Sequence, residues 1–567
     1  MAQQYGARCS LCDLDAIKPL LSILLFKKNV ILRYLAADTL RNLAHLKRGR
    51  KLIRLRGGID ILVHTMDTSK DILSIPAAEL ISRDRKIVRL VKTCSSILNF
   101  LCRSLKSQEA LWNSGFINLL PQLLNTSNGE IQISVMSSVA ECCRSRPNVV
   151  SNKMAELCKV ALKDLMQLPR IIGFMLGNYP ELAGKSAEIL LGMVDDDPSI
   201  YDVLLKNEGV QVVCKALQKF YNEEEALASI IRLLWKMSLD VKCRQAIERQ
   251  GVINDLLQLL SYKSDERQIG TIRDDLINQV IGYSAGTLCE LWKCESLRSQ
   301  LKYDAIPKCL ELLKSSLDSL VLTHVCNALA KGSTDSDCMD MINEANGFRF
   351  VVVLLPSLEV YEFDKYDDFY KPETIIAAAE CLTMMIVNNP DQDNYYKGMF
   401  DALCDLADLL THKNLDIVAA ACRLVEVAAT PFEYNIHVMA GAGAIENLAN
   451  LISTEHTKLR ANLCRAMGKC CSGGSTAHIL GCKNVLEQLL TYTKSKHQIV
   501  RDNVPLALSG ISEDPLNCVK IESLGFLPFL KQAITSENRE TAQAAAACIR
   551  NVRKVCTAIG QHQEHKV

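Results

Sequence analysis

Apolar and polar positions follow one pattern that repeats along this chain. Each copy has a residue that ends a helix, usually Gly, then a short apolar helix, a polar turn, and a longer helix rich in Ala, Leu and Cys. The longer segments are apolar at helical spacing, which predicts helices with one buried face. Copies of the Gly and its short helix begin at Gly58, Gly115, Gly209, Gly251, Gly443 and Gly525. The pattern predicts a chain of helical repeats.

The spacing of these glycines indicates the type of repeat. Gly209 and Gly251 are 42 residues apart, Gly115 and Gly209 twice 47, and Gly443 and Gly525 twice 41. Such periods are typical of armadillo or HEAT repeats. We therefore predict an all-α, right-handed superhelical armadillo solenoid of about twelve units, which offers a long surface for binding. The turns before the second helices are placed near residues 16, 58, 115, 155, 209, 251, 304, 347, 398, 443, 483 and 525.

The whole chain, 1–567, is interpreted as one continuous array. Residues 1–45 are expected to form a partial N-terminal cap, because the first turn lies too near Met1 for a first helix. Loop insertions are expected near 69–88, 262–275 and 358–374, and a frayed tail at 559–567. The third loop is acidic and aromatic, and either binds a partner or folds back onto its own repeats. The repeat register between about 147 and 184 stays open.

Composition favours a cytoplasmic protein without membrane insertion. Hydrophobic residues make up 49% of the chain and aromatic residues 5%, which suits many thin helix interfaces. No uncharged apolar stretch approaches the roughly 20 residues that span a bilayer, and no secretory signal is recognised at the start. The 24 cysteines are therefore expected to be reduced and mostly buried. Of each adjacent pair, Cys142-Cys143 and Cys470-Cys471, one member is expected in the core.

Charge is unevenly distributed although the net charge is only +1. Residues 1–115 carry 20 Lys and Arg against 9 Asp and Glu, and residues 47–56 hold six cations without an acid. Such a patch favours an acidic partner, whether a microtubule, nucleic acid or an acidic protein segment. A solvated helix face is the alternative interpretation. The candidate partner-binding residues are Lys47, Arg48, Arg50, Lys51, Arg54 and Arg56.

Residue patterns for catalysis, metals or cofactors are weak. Cys9 and Cys12 have the spacing of half a zinc site, but no second pair follows. The glycines at 441–443 and Gly468 superficially suggest nucleotide-binding loops but lack the preceding strand. They are interpreted as helix C-caps at turns. We predict no catalytic, cofactor-binding or metal-binding residues, and no enzyme activity.

Several blocks resemble the armadillo subunit of the outer-dynein-arm docking complex. Three C-terminal blocks in the family's order carry most of the likeness, and 48–58, 141–143 and 291–294 also fit. A nuclear-import adaptor is disfavoured, because Asn42, Asn99 and Asn551 lack the Trp that such proteins place four residues earlier. The C-terminal blocks are 459–471, 512–518 and 544–554.

The resemblance implies a non-catalytic scaffold in motile cilia or sperm flagella, with a role in spermatogenesis as in the shorter Gudu-type members. The implied partners are docking-complex subunits, axonemal dynein and possibly tubulin, with nucleic acid disfavoured. The implied location is the cytoplasm and the axoneme. The alternative is a cytosolic adaptor of the catenin or importin type, which binds extended peptides in trafficking or signalling.

Overall fold

The computed structural model describes residues 5–68, 70–76, 78–144, 153–164, 166–262, 271–356, 371–389, 402–430, 433–471 and 476–564. Within these ranges the regular secondary structure is helical throughout. The chain divides into two compact units. The first is Met1–Asp255 with Lys263–Val280, and the second is Leu256–Tyr262 with Ile281–Val567.

The first unit contains long helices that are each preceded by shorter ones. Its long helices are Val30–Ala44, Ser82–Leu101, Gly129–Cys143, Pro180–Asp196 and Glu224–Ser238. Its shorter helices are Tyr5–Asp13, Ile17–Leu24, Lys47–Leu55, Gly58–Met66, Lys70–Ser74, Leu105–Asn113, Phe116–Leu124, Lys153–Asp164, Leu168–Phe174, Ser199–Lys206, Gly209–Lys219 and Val241–Gln250. The helices Ile253–Leu259 and Ile272–Leu291 have residues in both units.

The second unit continues the same order of elements. Its long helices are Ser319–Gly332, Pro372–Asn388, Leu415–Ala428, Thr457–Cys470, Gln498–Ile511 and Arg539–Glu564. Its shorter helices are Arg298–Gln300, Ile306–Ser315, Ser336–Glu344, Gly347–Val352, 402–409, Glu433–Gly441, Ala444–Asn450, Ala477–Leu480, Lys483–Tyr492, Pro515–Ser523 and Leu527–Ala533. Glu295–Leu297 and Leu451–Ser453 are 3₁₀ turns, and Leu301–Ala305 is a π-helical turn.

These helices form three-helix units of the armadillo type. Leu105–Asn113, Phe116–Leu124 and Gly129–Cys143 are one such unit, with a first, a second and a long third helix. Across the described ranges there are twelve helices of 14 residues or more, which matches the expected twelve units. The predicted all-α armadillo-like solenoid is therefore confirmed.

The polar turns before the long helices act as N-caps. The side chain of Asn29 accepts a hydrogen bond from the backbone N–H of Leu32 at 3.1 Å, and Asn128 and Asp318 act alike in later units. Each cap satisfies a backbone N–H that has no partner within the helix. Where the polar turn carries such a cap, it therefore fixes the start of the long helix; Ser82–Leu101 and Pro180–Asp196 begin without a side-chain cap.

The repeated glycines have two different structural roles. Gly251 has a φ of +68° and ends the helix Val241–Gln250, as expected for a C-cap. At Gly209 the left-handed residue is instead the preceding Glu208, with a φ of 53°. A Cβ on Gly209 would lie 2.8 Å from the carbonyl oxygen of Leu204. Gly209 is therefore required by close packing.

Gly468 is not a helix C-cap, so that part of the sequence interpretation is wrong. It lies inside Thr457–Cys470, where a Cβ would be 2.4 Å from the carbonyl oxygen of Leu506 on the next long helix. A Cβ on Gly510, on that next helix, would in turn lie 2.2 Å from the carbonyl oxygen of Gly468. The two glycines let two long helices cross with their backbones in contact.

Several predicted boundaries differ from the structure. The first repeat does have a first helix, Tyr5–Asp13, so the expectation of no room for one is wrong. The second helix expected near 155 begins at Leu168, because Lys153–Asp164 occupies the first-helix position. The expected loop 69–88 contains the helix Lys70–Ser74 and the start of Ser82–Leu101.

The remaining boundary predictions fall partly outside the described residues. Residues 263–270 of the expected loop 262–275 and residues 358–370 of the expected loop 358–374 lie outside the described residues. Helices begin at Ile272 and Pro372. The mark near 398 also lies outside, before the helix 402–409. The expected frayed tail, 559–567, is helical as far as Glu564, and residues 565–567 lie outside.

Every cysteine is a free thiol in this structure and most are buried. Both members of each adjacent pair are in the core, where only one was expected: Cys142 and Cys143, and Cys470 and Cys471. A helix layer with neighbours on two sides can bury two adjacent residues. Cys471 lies beside Gly510 on the following long helix, and Cys470 lies near Cys422 on the preceding one.

Candidate partner-binding groove

The helix Lys47–Leu55 presents the basic cluster that the sequence predicts as a partner-binding site. Gly49 and Ile53, four residues apart, form its buried face. A Cβ on Gly49 would lie 2.1 Å from the carbonyl oxygen of Leu43, so this helix packs tightly against the long helix before it. The buried stripe turns Lys47 and Lys51 to the exposed side. The local sequence thus folds into a helix with a cationic outer face.

The cationic face forms one wall of a groove with a volume of about 800 Å³. The opposite wall is formed by the end of the long helix Ser82–Leu101, the turn that follows it and the start of Leu105–Asn113 in the next repeat. Seven of the eleven lining residues are Lys or Arg and none is acidic. We call this the basic groove; its lining residues are Lys47, Arg48, Arg50, Lys51, Arg54, Leu101, Arg103, Ser104, Leu105, Lys106 and Ser107.

Two of the six candidate residues form ion pairs with the first repeat. Arg48 Nη1 lies 2.5 Å from Asp13 Oδ1. Arg56 donates to both oxygens of Asp15, with Nη2 2.6 Å from Oδ2 and Nε 3.3 Å from Oδ1. Both pairs are exposed, so each contributes at most about 1 kcal/mol to stability. They fix the first helix against the second repeat, and Arg56 is not among the groove residues.

Arg50 has a structural contact. Its Nη1 donates to the carbonyl oxygens of Ala44 and His45 at 3.0 and 3.1 Å, at the end of the preceding long helix. Helix C-termini leave carbonyl groups without partners within the helix, and a side-chain donor satisfies them. Arg50 is therefore less available to a partner than the sequence suggests.

The same contact recurs in other repeats at the same distance along the chain. Gln108 donates to the carbonyl oxygen of Cys102, Arg244 to that of Ser238 and Arg298 to that of Trp292, each six residues earlier. The recurrence shows that Arg50 occupies a position where the fold needs a donor. A side-chain donor at this position is a feature of the repeat architecture.

Five cations of the basic groove have neither an ion pair nor a side-chain hydrogen bond within the described residues: Lys47, Lys51, Arg54, Arg103 and Lys106. Arg103 lies over the Phe100 ring at 5.5 Å. Arg103 and Lys106 were missed by the sequence interpretation because about fifty residues separate them from the basic cluster. The only sequence signal was the basic excess of residues 1–115.

Local electrostatics also disfavour this concentration of cations. Neither helix at the groove, Lys47–Leu55 or Leu105–Asn113, has an acid in its first turn. Cations near a helix N-terminus oppose the helix dipole. Beside the groove, burial lowers the pKa of His45, and the charges of nearby arginines, with Arg8 and Arg41 first, lower it further. The site has a positive potential that an anionic ligand would neutralise.

A second groove, in the other unit, is neutralised by the protein itself. Its volume is about 530 Å³, and Arg465 spans it between two carboxylates. Arg465 Nη2 lies 2.9 Å from Glu426 Oε1, and its Nη1 lies 2.9 Å from Glu540 Oε2. Asn462, on the same helix, donates to the carbonyl oxygen of Ala419 at 2.8 Å. These polar groups hold repeats together, which leaves the basic groove as the stronger candidate site.

The basic groove has the charge that an anionic ligand would need. Among the described residues, no group of three or more His, Cys, Asp or Glu side chains is arranged to hold a metal ion. The described helices also include none that is long and apolar enough to cross a membrane.

Comparison with known proteins supports the armadillo assignment at the level of the fold. No family model matches the chain. It is 27% identical over 223 residues to the Armadillo repeat-containing protein gudu of Drosophila melanogaster. This match covers 39% of the chain and 31% of the Drosophila protein, less than a third of the relative's length.

Solved structures match over more of the chain. One, reported for the interaction between cadherin and β-catenin, has a TM-score of 0.56 at 11% identity and covers 95% of this chain and 99% of its own. An engineered protein has a TM-score of 0.54 at 20% identity, covering 77% of this chain and 98% of its own. At these identities the likeness shows an armadillo-like fold and nothing about partners.

Proposed function

We propose that this protein is a non-catalytic scaffold that binds other proteins and supports docking or assembly of outer dynein arms in motile cilia or sperm flagella. The observation that carries the proposal is the distant homology to the gudu armadillo protein. It agrees with the sequence resemblance to the armadillo subunit of the docking complex. Stacked repeats form an extended surface, which suits a scaffold better than an enzyme.

The blocks that carry the resemblance lie on packed repeat helices. Residues 459–471 form most of the long helix Thr457–Cys470 with Cys470 and Cys471 buried, and Asp514 in 512–518 caps the helix Pro515–Ser523. These blocks therefore support kinship of the repeats themselves. The ciliary role depends on that kinship, and the partners we propose are docking-complex subunits, axonemal dynein and possibly tubulin.

The six cations of the sequence prediction remain our candidates for partner contact, but with unequal roles. Lys47, Lys51 and Arg54 are the ones we propose to contact a partner. Arg48, Arg50 and Arg56 are engaged in contacts within the protein, through ion pairs with Asp13 and Asp15 and a hydrogen bond to the carbonyl oxygen of Ala44. Surface cations increase association rates and general affinity more than specificity, so the interaction should weaken with salt.

The test is the distribution of the tagged endogenous protein, combined with co-purification at low salt. We expect the protein in cells with motile cilia and in the male germline, with docking-complex subunits in the purified material. Broad expression in cells without motile cilia, with adhesion or transport partners, would contradict the ciliary role.

That second outcome would favour a cytosolic adaptor that binds extended peptides. This alternative rests on the fold alone, which the chain shares over 95% of its length with a structure reported for the interaction between cadherin and β-catenin. The two proposals share the scaffold and differ in cell type and partners. Identification of the co-purified proteins by mass spectrometry separates them.

A further inference from the structure

Equivalent positions in other repeats show what is unusual about the basic groove. The groove lies between the first helix of one repeat and the start of the first helix of the next. Ser104, Asp240 and Asp335 are the N-cap residues at that start in three such places. To compare the three repeat junctions, we count residues of the later first helix forward from its N-cap. We count residues of the earlier first helix backward from the residue that precedes its second helix.

At the repeat junction that begins with Asp240, an ion pair joins the two repeats. Lys242, two residues after its N-cap, has its Nζ 2.9 Å from Oδ1 of Asp202. Asp202 lies six residues before Glu208, the left-handed residue that precedes the second helix. In the basic groove, the residue two after the N-cap is Lys106, and the residue six before the left-handed Gly57 is Lys51. A cation and an anion are therefore replaced by two cations.

At the repeat junction that begins with Asp335, the cation lies on the earlier first helix and the anions lie on the later one, so the charges are again neutralised. Lys302 lies three residues before Ala305, which precedes its second helix. Its Nζ lies 2.9 Å from Oδ1 of the N-cap Asp335 and also pairs with Asp337, two residues further on. The two carboxylates raise the pKa of Lys302.

In the basic groove, the counterpart of Lys302 is Arg54, three residues before Gly57. The counterparts of the two aspartates are the neutral Ser104 and the cationic Lys106. Both cross-repeat ion pairs found elsewhere are thus absent here, and the same positions contribute like charges. Like charges in one groove repel each other, and burying any of them without a counterion is costly.

An acidic ligand would supply the missing counter-charges. The groove volume of about 800 Å³ is within the range of roughly 300 to 1,000 Å³ typical of ligand clefts. Leu105, which is 37% exposed, provides apolar surface beside the cations. Lysine and arginine at several points along one groove match carboxylates spaced along an extended chain.

We propose that the basic groove binds an acidic peptide segment of a partner protein. Lys51, Arg54 and Lys106 would pair with carboxylates of that segment, at positions where other repeats form ion pairs within the protein. Lys47 and Arg103 extend the cationic surface along the segment. This inference rests on the proposed scaffold function and names the chemistry of the partner, independently of whether that partner is ciliary.

The sharpest variant copies the charge found in another repeat. Lys51→Asp places an acid where Asp202 stands, so it creates a partner for Lys106 and removes a contact for the ligand. We expect the melting temperature of this variant to be at least as high as that of the wild type, because the repulsion between residue 51 and Lys106 becomes an attraction. We also expect the affinity for a fluorescein-labelled octaglutamate peptide to fall on the order of tenfold in fluorescence anisotropy at low salt.

The matched control is Lys28→Asp, which makes the same change of charge in an exposed turn outside the groove. It should bind octaglutamate within about twofold of the wild type. Equal losses in both variants would overturn the groove assignment, because general electrostatics would then explain binding. Equal binding of an octaglutamine peptide would overturn the requirement for acid.

A third probe decides between protein and nucleic acid as the ligand. A single-stranded oligothymidylate with the same number of negative charges should compete poorly with octaglutamate. Tighter binding of the oligonucleotide would overturn the peptide assignment.

The last experiment measures whether the Lys51→Asp variant still co-purifies docking-complex subunits and compares this with its affinity for octaglutamate. If Lys51→Asp loses octaglutamate but still co-purifies docking-complex subunits, the groove inference stands and its use in docking fails. If octaglutamate binding is unaffected, the groove inference itself fails, whatever co-purifies.

Discussion

The substitution Gly510→Ala tests whether the crossing of two long helices depends on glycine. A Cβ at this position would lie 2.2 Å from the carbonyl oxygen of Gly468 and 3.0 Å from the Cβ of Cys471. Close contacts between carbon and a carbonyl oxygen are ordinarily about 3.3 Å or longer. The helices Thr457–Cys470 and Gln498–Ile511 would therefore have to separate by roughly 1 Å.

The magnitude follows from two opposing effects. Alanine favours a helix over glycine by about 0.5 to 1 kcal/mol. Overpacking costs about 1 to 3 kcal/mol, and the upper end applies because a helical carbonyl cannot rotate away as a side chain can. Separation by 1 Å also weakens every dispersion contact between the helices. We expect a net loss of about 2 kcal/mol, which corresponds to roughly thirty-fold more frequent local opening.

The assay is hydrogen exchange measured by mass spectrometry on peptides from these two helices, because long repeat arrays need not unfold in one step. The control is Gly441→Ala in the same unit, where a Cβ would meet nothing within 4 Å and exchange should not increase. The double variant with Gly468→Ala should cost less than the sum of the singles, since one separation relieves both clashes. Unchanged or slower exchange in Gly510→Ala would refute the reasoning.

Three further predictions concern polar groups. Arg465→Met should destabilise its unit by about 1 to 2 kcal/mol in denaturant unfolding, because Glu426, only 4% exposed, loses a bidentate partner but keeps its ion pair with Arg423. Adding Glu426→Gln should recover part of the loss, and an unaffected single variant would contradict this. Burial lowers the pKa of His324 to about 4 from 6.5. The unfolded state therefore binds more protons, and the stability present above pH 6.5 should fall by roughly 3 kcal/mol towards pH 4, a slope that His324→Gln should lack if burial is the cause. Arg50→Met should lower the thermal midpoint by removing a donor worth about 1 to 2 kcal/mol, whereas Lys51→Met should not, and equal effects would show that Arg50 has no special structural role.

The sequence predicted the repeat type well because its signals are local. Helical spacing of apolar residues, Asn or Asp caps and left-handed glycines act within one turn of chain, so they can be recognised without the fold. The same logic failed at Gly468, which looks like a cap in sequence but faces a neighbouring backbone. It also failed for residues 153–164, where weak turn signals hid a first helix.

The candidate site was predicted only in part. The basic run at 47–56 is contiguous and visible, but its six cations looked equivalent until their partners were known. Arg50 meets a carbonyl pair and Arg56 meets Asp15, while Lys51 meets no acid within the described residues.

The sequence by itself determined the helical elements, the repeat period and the basic character of the first 115 residues, because each depends on residues that are close along the chain. The tertiary structure decided that Lys51 and Arg54 share a groove with Arg103 and Lys106. It also decided which charges are neutralised across repeats. Such pairings depend on how successive first helices stack, and residues some fifty positions apart meet only through that packing.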